Sequence, residues 1–259
     1  MPPVGGAALV RVRRASIAPV ARYWPFAGFA VVVALHHVLL LAGLAGIVTK
    51  GLLMGSLLAA VLLVGLVVDR GLLGSSRARY AFVLLCGALA LSLAGDLVIS
   101  VSLELGLVWF VLAMLVYLGL FLGPARARSL AWWAIPYGLC YSPIIVVLWS
   151  HLGDFGSLVA FYGLLLMAMA VTSTTVGRTA AVGGLLFMIA EGLLGFRIFL
   201  PDALAWFPDP WQDASISLLY CLGQGLLALG VLRRLEREPR LARERAARRA
   251  AREVEFRGA

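Results

Sequence analysis

Apolar residues run along this chain in long unbroken stretches, and polar residues fall in the short gaps between them. A helix that crosses the hydrocarbon core of a bilayer takes about 20 predominantly apolar residues. Eight stretches meet that description: Phe26–Val48, Leu52–Val68, Tyr80–Ser102, Gly106–Gly123, Ala131–Trp149, Leu158–Thr175, Ala180–Leu200 and Ala214–Leu232. The runs are continuous and do not alternate between apolar and polar positions, which argues against a transmembrane β-barrel. The expected fold is all-α, a polytopic membrane bundle of eight transmembrane helices. A basic N-terminal arm (1–25) precedes the membrane domain (26–232), and an Arg-rich tail (233–259) follows it.

The charges test this count. Arg11, Arg13, Arg14 and Arg22 precede the first span; Arg70, Arg77 and Arg79 fall in the second connection, Arg126 and Arg128 in the fourth, and Arg178 in the sixth. The odd connections carry Lys50, Glu104, Asp154, Asp202, Asp209 and Asp213. Such alternation is what the positive-inside rule requires of an even number of spans, so both termini are expected in the cytoplasm. Trp24, Trp109, Trp132, Trp133, Trp149, Trp206 and Trp211 all fall at or near expected span ends, where indole rings sit at headgroup level.

Composition agrees. Hydrophobic residues make up 62% of the 259, with mean hydropathy +0.98, against about 45–50% in soluble domains. The net charge of +9 does not indicate nucleic acid, because 10 of the 22 Lys and Arg residues lie in the tail after Leu232. That tail either lies as a helix on anionic lipid headgroups or stays solvated and enforces orientation. Cys86, Cys140 and Cys221 fall inside apolar runs and read as small core residues. No removable signal peptide is expected, and the localisation expected is a bacterial-type inner membrane.

Two carboxylates break the apolar pattern. Asp96 lies within "LSLAGDLVIS" and Glu191 within "LLFMIAEGLLGFRIFL". A charge at mid-membrane costs roughly 2.5–3.5 kcal/mol on insertion scales, so such residues pair, keep a proton or meet water. Asp96 precedes Glu104, and Glu191 precedes Pro201, by about 12 and 15 Å of helix. Both belong to spans that run outward, so they are expected at comparable depth. Two acids sharing a low-dielectric site divide into an acid and a base, which serves hydrolysis or proton movement; the structural alternative is a helix–helix hydrogen bond. Tyr137 and Tyr141 share one face of the fifth span, which Pro136 and Pro143 bend. Tyr117, Tyr162, Tyr220 and Gln224 are further candidates for the same cavity. Arg197 either snorkels to the surface or holds a lipid phosphate. His36 and His37 are adjacent and point to different sides, so no metal site is expected. Serine-hydrolase, zinc-protease, Walker A and dinucleotide motifs do not occur.

Several segments, in order, resemble the YhhN family of eight-span membrane proteins, which includes the lysoplasmalogenases. "TKGLLMGSLL" (49–58) is similar to its Thr-Lys-Pro-Leu-Leu-Met-Pro opening, with Gly51 and Gly55 where prolines are usual. "SLAGDLVIS" is similar to its Gly-Asp segment and places Asp96 at its first carboxylate. "GLVWFVLAMLVYLGLF" (106–121) resembles the following span, with Met114 where histidine is common. "VAFYGLLLMAMAVTS" (159–173) and "LLYCLGQGLLALG" (218–230) resemble its late Tyr and Tyr-x-x-x-Gln segments. Where the family usually has Phe-x-x-Ser-Asp, this chain has "FMIAE" (187–191), so Ala190 and Glu191 replace Ser-Asp. The resemblance covers about residues 45–232. It implies hydrolysis of the vinyl ether of a lysoplasmalogen, with Glu191 as the acid and Asp96 as its carboxylate partner, membrane lipids as partners and no cofactor. A small proton-coupled lipid or solute transporter and a non-catalytic lipid-binding membrane protein are the alternative readings of the same acids.

Overall fold

The computed structural model describes residues 21–258 apart from 131, 133, 140 and 141, with the backbone alone at 70, 136–138 and 238–258. Among the described residues there is no strand. The α-helices are α1 Pro25–Leu41, α2 Ile47–Leu63, α3 Ser76–Val98, α4 Leu103–Leu122, α5 Ala134–Leu139, α6 Ser142–Leu148, α7 Gly156–Ser173, α8 Arg178–Phe199 and α9 Asp209–Gly258. A π turn at Val64–Val68 extends α2.

Local chemistry sets several of these boundaries. Ser75 Oγ accepts the Ala78 N–H at 3.0 Å and Ser102 Oγ accepts the Leu105 N–H at 3.3 Å, the N-cap arrangement that satisfies an orphan donor at a helix start. Thr49 Oγ1 accepts the Gly46 N–H at 3.0 Å and fixes the start of α2.

Among the described residues, six helical stretches are long and apolar enough to cross a membrane: Ile47–Val68, Ser76–Val98, Leu103–Leu122, Gly153–Ser173, Arg178–Phe199 and Asp209–Arg237. One expected span is shorter than expected: the first is the 17-residue α1, about 25 Å long at 1.5 Å per residue. Within the stretch expected at 131–149, the described residues are helical over Ala134–Leu139 and Ser142–Leu148. A second correction concerns the first connection. The chain turns at 42–46, not around Lys50, which lies in the first turn of α2.

Long helices pack in chain order, α1 on α2, α2 on α3, α3 on α4, α4 on α7, α7 on α8 and α8 on α9. Helix α9 closes the ring onto α1 and also reaches α2 and α3. The α8–α9 contact is the tightest: a Cβ on Gly183 would stand 2.6 Å from the Leu227 nitrogen, and one on Gly223 would stand 2.7 Å from the Phe187 nitrogen. Small residues that let backbones approach this closely are how helices associate where lipid removes the hydrophobic driving force. Tyr117, Phe121, Phe187, Met54, Leu57, Leu85 and Leu89 fill the interior, while Val31, Leu35, Val38, Val83, Val108 and Leu112 are exposed on the outside. Bulky apolar residues inside and out are what a lipid solvent allows.

The two ends of the ring differ. At one end Arg77 Nε donates to the Pro124 carbonyl at 2.9 Å and Arg128 Nε to that of Thr174 at 2.7 Å. These guanidinium groups meet carbonyls just past α4 and α7, where the helix dipole favours a cation. The other end carries Glu104, Asp154, Asp202, Asp209 and Asp213 at or near helix starts. That acidic end holds the cavity described next.

Candidate active site

Asp96 occupies the last turn of α3, because the helix stops at Val98 and not at Ser102 as the hydropathy suggested. Glu191 stands eight residues before the end of α8, about 12 Å. Both side chains are buried, at 5% and 7% exposure, and both line one cavity of about 350 Å³ at the acidic end. That is near the lower end of ordinary ligand pockets, about 300–1,000 Å³.

Each carboxylate is held by a tyrosine from another helix. The Tyr220 hydroxyl on α9 donates to Asp96 Oδ2 at 3.0 Å, and the Tyr162 hydroxyl on α7 donates to Glu191 Oε2 at 2.7 Å. Among the described residues nothing bonds Asp96 Oδ1 or Glu191 Oε1. One oxygen of each acid is therefore fixed and the other is left for the cavity.

A second polar layer lies one turn further in. Tyr117 donates to Gln224 Oε1 at 2.6 Å, and Gln224 Nε2 donates to Ser92 Oγ at 3.3 Å. Ser92 and Asp96 are four apart on α3, and Tyr220 and Gln224 are four apart on α9, so the two layers are successive rungs between the same helices. The Tyr220 ring stands edge-on to both Phe110 and Phe187, which fixes the hydroxyl over Asp96.

Tyr220 lines the cavity with the two acids, Tyr162 reaches it through Glu191, and Tyr117 and Gln224 form the layer behind. Arg197 is not a wall of the cavity. It pairs with Asp213 at 3.2 Å and with Asp209 at 3.1 Å, tying the end of α8 to the start of α9. Tyr141 lies outside the described residues, as does the side chain of Tyr137.

Sequence reasoning missed four groups at this site. Lys50, His36 and Asp213 line the cavity, and Ser92 closes its inner layer. Lys50 thus shares one cavity wall with both Asp96 and Glu191. The Gly46–Thr49 spacing carried the signal for Lys50, since a side-chain acceptor three residues past a glycine marks a helix start. Ser92 was legible as the residue one turn before Asp96.

The fold and site together define an all-helical, multi-pass type of membrane protein with two buried acids held by tyrosines around one cavity. The chain belongs to the YhhN family: the family model matches residues 45–231, a span that contains Lys50, both acids and both tyrosines. No curated protein and no solved structure matches it.

Proposed function

We propose that the protein is an integral-membrane hydrolase that cleaves the vinyl-ether bond of a lysoplasmalogen, or of a related lysolipid, to a fatty aldehyde and a glycerophospho-alcohol. The observation that carries this reading is the pair Asp96 and Glu191 on one cavity, each with one oxygen anchored and one left for a substrate.

A vinyl ether hydrolyses when a proton is delivered to its β-carbon, which leaves an oxocarbenium ion at the α-carbon. Water adds there and loses a proton, and the hemiacetal collapses to aldehyde and alcohol. The net change consumes one water and returns the catalytic proton. Glu191 delivers the proton from Oε1 while Tyr162 holds Oε2. Asp96 faces the cation through Oδ1 and takes the proton from the attacking water, while Tyr220 holds Oδ2. Glycosidases divide the same tasks between two carboxyl groups around a similar cation. Tyr117, Gln224 and Ser92 hold the Tyr220–Asp96 pair from behind.

The proposed topology is eight crossings with both termini in the cytoplasm, α1 supplying the first and the α5–α6 stretch the fifth. Arg22, ahead of α1, bonds Glu236 on α9 at 3.1 Å. The entry and exit of the bundle therefore share one end, which supports an even count. The positive-inside rule assigns that arginine-rich end to the cytoplasm and opens the cavity on the opposite side. The domain division is the arm, the membrane domain and the tail at 1–25, 26–232 and 233–259; the tail meets anionic headgroups, and the membrane is a bacterial-type inner membrane.

The test is lipid turnover by the purified protein in detergent, with released aldehyde or fatty acid read by mass spectrometry. Aldehyde from the vinyl-ether lipid, lost in Asp96→Asn and in Glu191→Gln, is the expected result. Unchanged turnover in both variants, or no product from any lysolipid with the protein folded, overturns the reading.

A further inference from the structure

The two acids are buried walls of the cavity. Its wall also includes the exposed Gly46 and Ile47 at the start of α2, the half-buried Lys50 one turn on, and the buried His36 from α1. Among the described residues the N–H groups of Ile47, Val48 and Thr49 have no acceptor. Lys50 makes no hydrogen bond or ion pair there. His36 is 6% exposed and, among the described residues, makes no hydrogen bond, with Nδ1 both buried and without a partner. A buried imidazole left in this state is rare, since buried polar groups find partners. His37 beside it shows the ordinary outcome, its ring nitrogens at 2.7 and 3.1 Å from the carbonyls of Val33 and Ala214.

We propose that this side of the cavity, at the start of α2, is a phosphate-binding subsite that holds the phosphodiester of the substrate headgroup. The donors are of the right kind: free N–H groups and the positive end of a helix dipole, a point charge on a flexible stem, and an imidazole N–H. They contribute no negative charge of their own. Asp213, which also lines the cavity, is engaged by Arg197 at 3.2 Å. Lys50 lines the same cavity as both acids, so its charge offsets the repulsion that a phosphate would meet from their carboxylates. With the phosphodiester there, the glycerol and its first linkage extend toward Asp96 and Glu191. The subsite selects phosphorylated lysolipids over monoacyl or monoalkyl glycerols. The identity of the reaction rests on the hydrolase reading; the binding itself does not.

The test is calorimetric binding to the full chain in one detergent, with three probes that lack a vinyl ether. They are an alkyl-ether lysophosphatidylethanolamine, the matching alkylglycerol and free glycerophosphoethanolamine. Wild type is expected to bind the phospholipid about tenfold or more tightly than the alkylglycerol, the size of a charge-assisted phosphate contact. Lys50→Gln should remove most of that preference while binding of the alkylglycerol changes less than about twofold, and Lys50→Arg should retain it. His36→Gln should reduce it by about threefold. Unfolding midpoints of the variants establish that each is folded. Binding of glycerophosphoethanolamine as tight as that of the phospholipid supports the subsite with a soluble phosphodiester as its ligand; tighter phospholipid binding assigns it to the lipid. Equal binding of phospholipid and alkylglycerol by wild type overturns the proposal, as does an unchanged preference in Lys50→Gln. Headgroup preference without aldehyde release sinks the hydrolase and leaves the subsite standing; aldehyde release without the preference does the reverse.

Discussion

Polar groups are buried at the acidic end of this bundle and part-buried at the other, and the two ends treat them differently. At the arginine-rich end Arg22 bonds Asp69 at 2.9 Å and Glu236 at 3.1 Å, and the Tyr23 hydroxyl donates to Glu236 at 3.0 Å. The Arg233 guanidinium lies 5.8 Å from the centre of the Tyr23 ring. Burial, with the Glu236 carboxylate beside it, pushes the Tyr23 hydroxyl above its usual range, so it stays a donor. Each of these groups uses its neighbours, and the result joins the residues before α1 to the residue that follows the π turn of α2 and to α9 at Glu236. At the acidic end, among the described residues, each acid has one tyrosine, Lys50 has no bonded partner and His36 none, around an open volume. A closed network stabilises a fold, whereas buried donors and acceptors left without partners around a cavity await a ligand. Burial alone does not separate a site from a structural clamp; the accounting of partners does.

Mutations can break this comparison. The largest effect is expected from Asp96→Asn and Glu191→Gln, each lowering turnover by about 10²–10⁴-fold, the range of general acid–base catalysis, without loss of fold; aldehyde release measures it. Tyr162→Phe and Tyr220→Phe should each cost about ten- to a hundredfold in turnover, because a hydrogen bond to a charged group is worth about 1.5–3 kcal/mol. Gln224→Leu leaves Tyr117 and Ser92 without their shared partner, and about 1–3 kcal/mol of stability should be lost; thermal unfolding in detergent reads it. The smallest effect should come from Arg22→Ala at the opposite end: about 1 kcal/mol of stability, since its ion pairs are only part-buried, with turnover unchanged. A turnover defect in Arg22→Ala would show that the two ends are coupled and would remove the distinction drawn between them.

Hydropathy made the all-helical class legible, and six expected spans correspond to helices long enough to cross a bilayer. It read boundaries less well, because an apolar residue in a turn counts the same as one in a helix. Val98–Ser102 looked like the end of a span, yet the backbone turns there and brings Asp96 to the last turn of α3. The stretch expected at 131–149 is helical over Ala134–Leu139 and Ser142–Leu148, and the bend expected at Pro136 and Pro143 falls on or beside residues outside the described ones. Lys50 was counted as a loop charge, and the reversal of sign along the chain hid that it is inside the first turn of α2.

The sequence by itself determined what depends on composition and local period. Those features are the helical class, the alternation of charge between the two ends, the two acids and their resemblance to one family. Each follows from how single residues partition between lipid, interface and water, which needs no knowledge of neighbours. Which helices meet was decided only in three dimensions. Glycines on α8 and α9 let those backbones approach, α9 closes on α1, and Tyr220 thereby arrives over Asp96 while Tyr162 arrives over Glu191. Membrane helices are apolar on every side, so their sequences carry little periodic signal for choosing partners. The pairing is set instead by close packing and by a few hydrogen bonds between residues far apart in the chain.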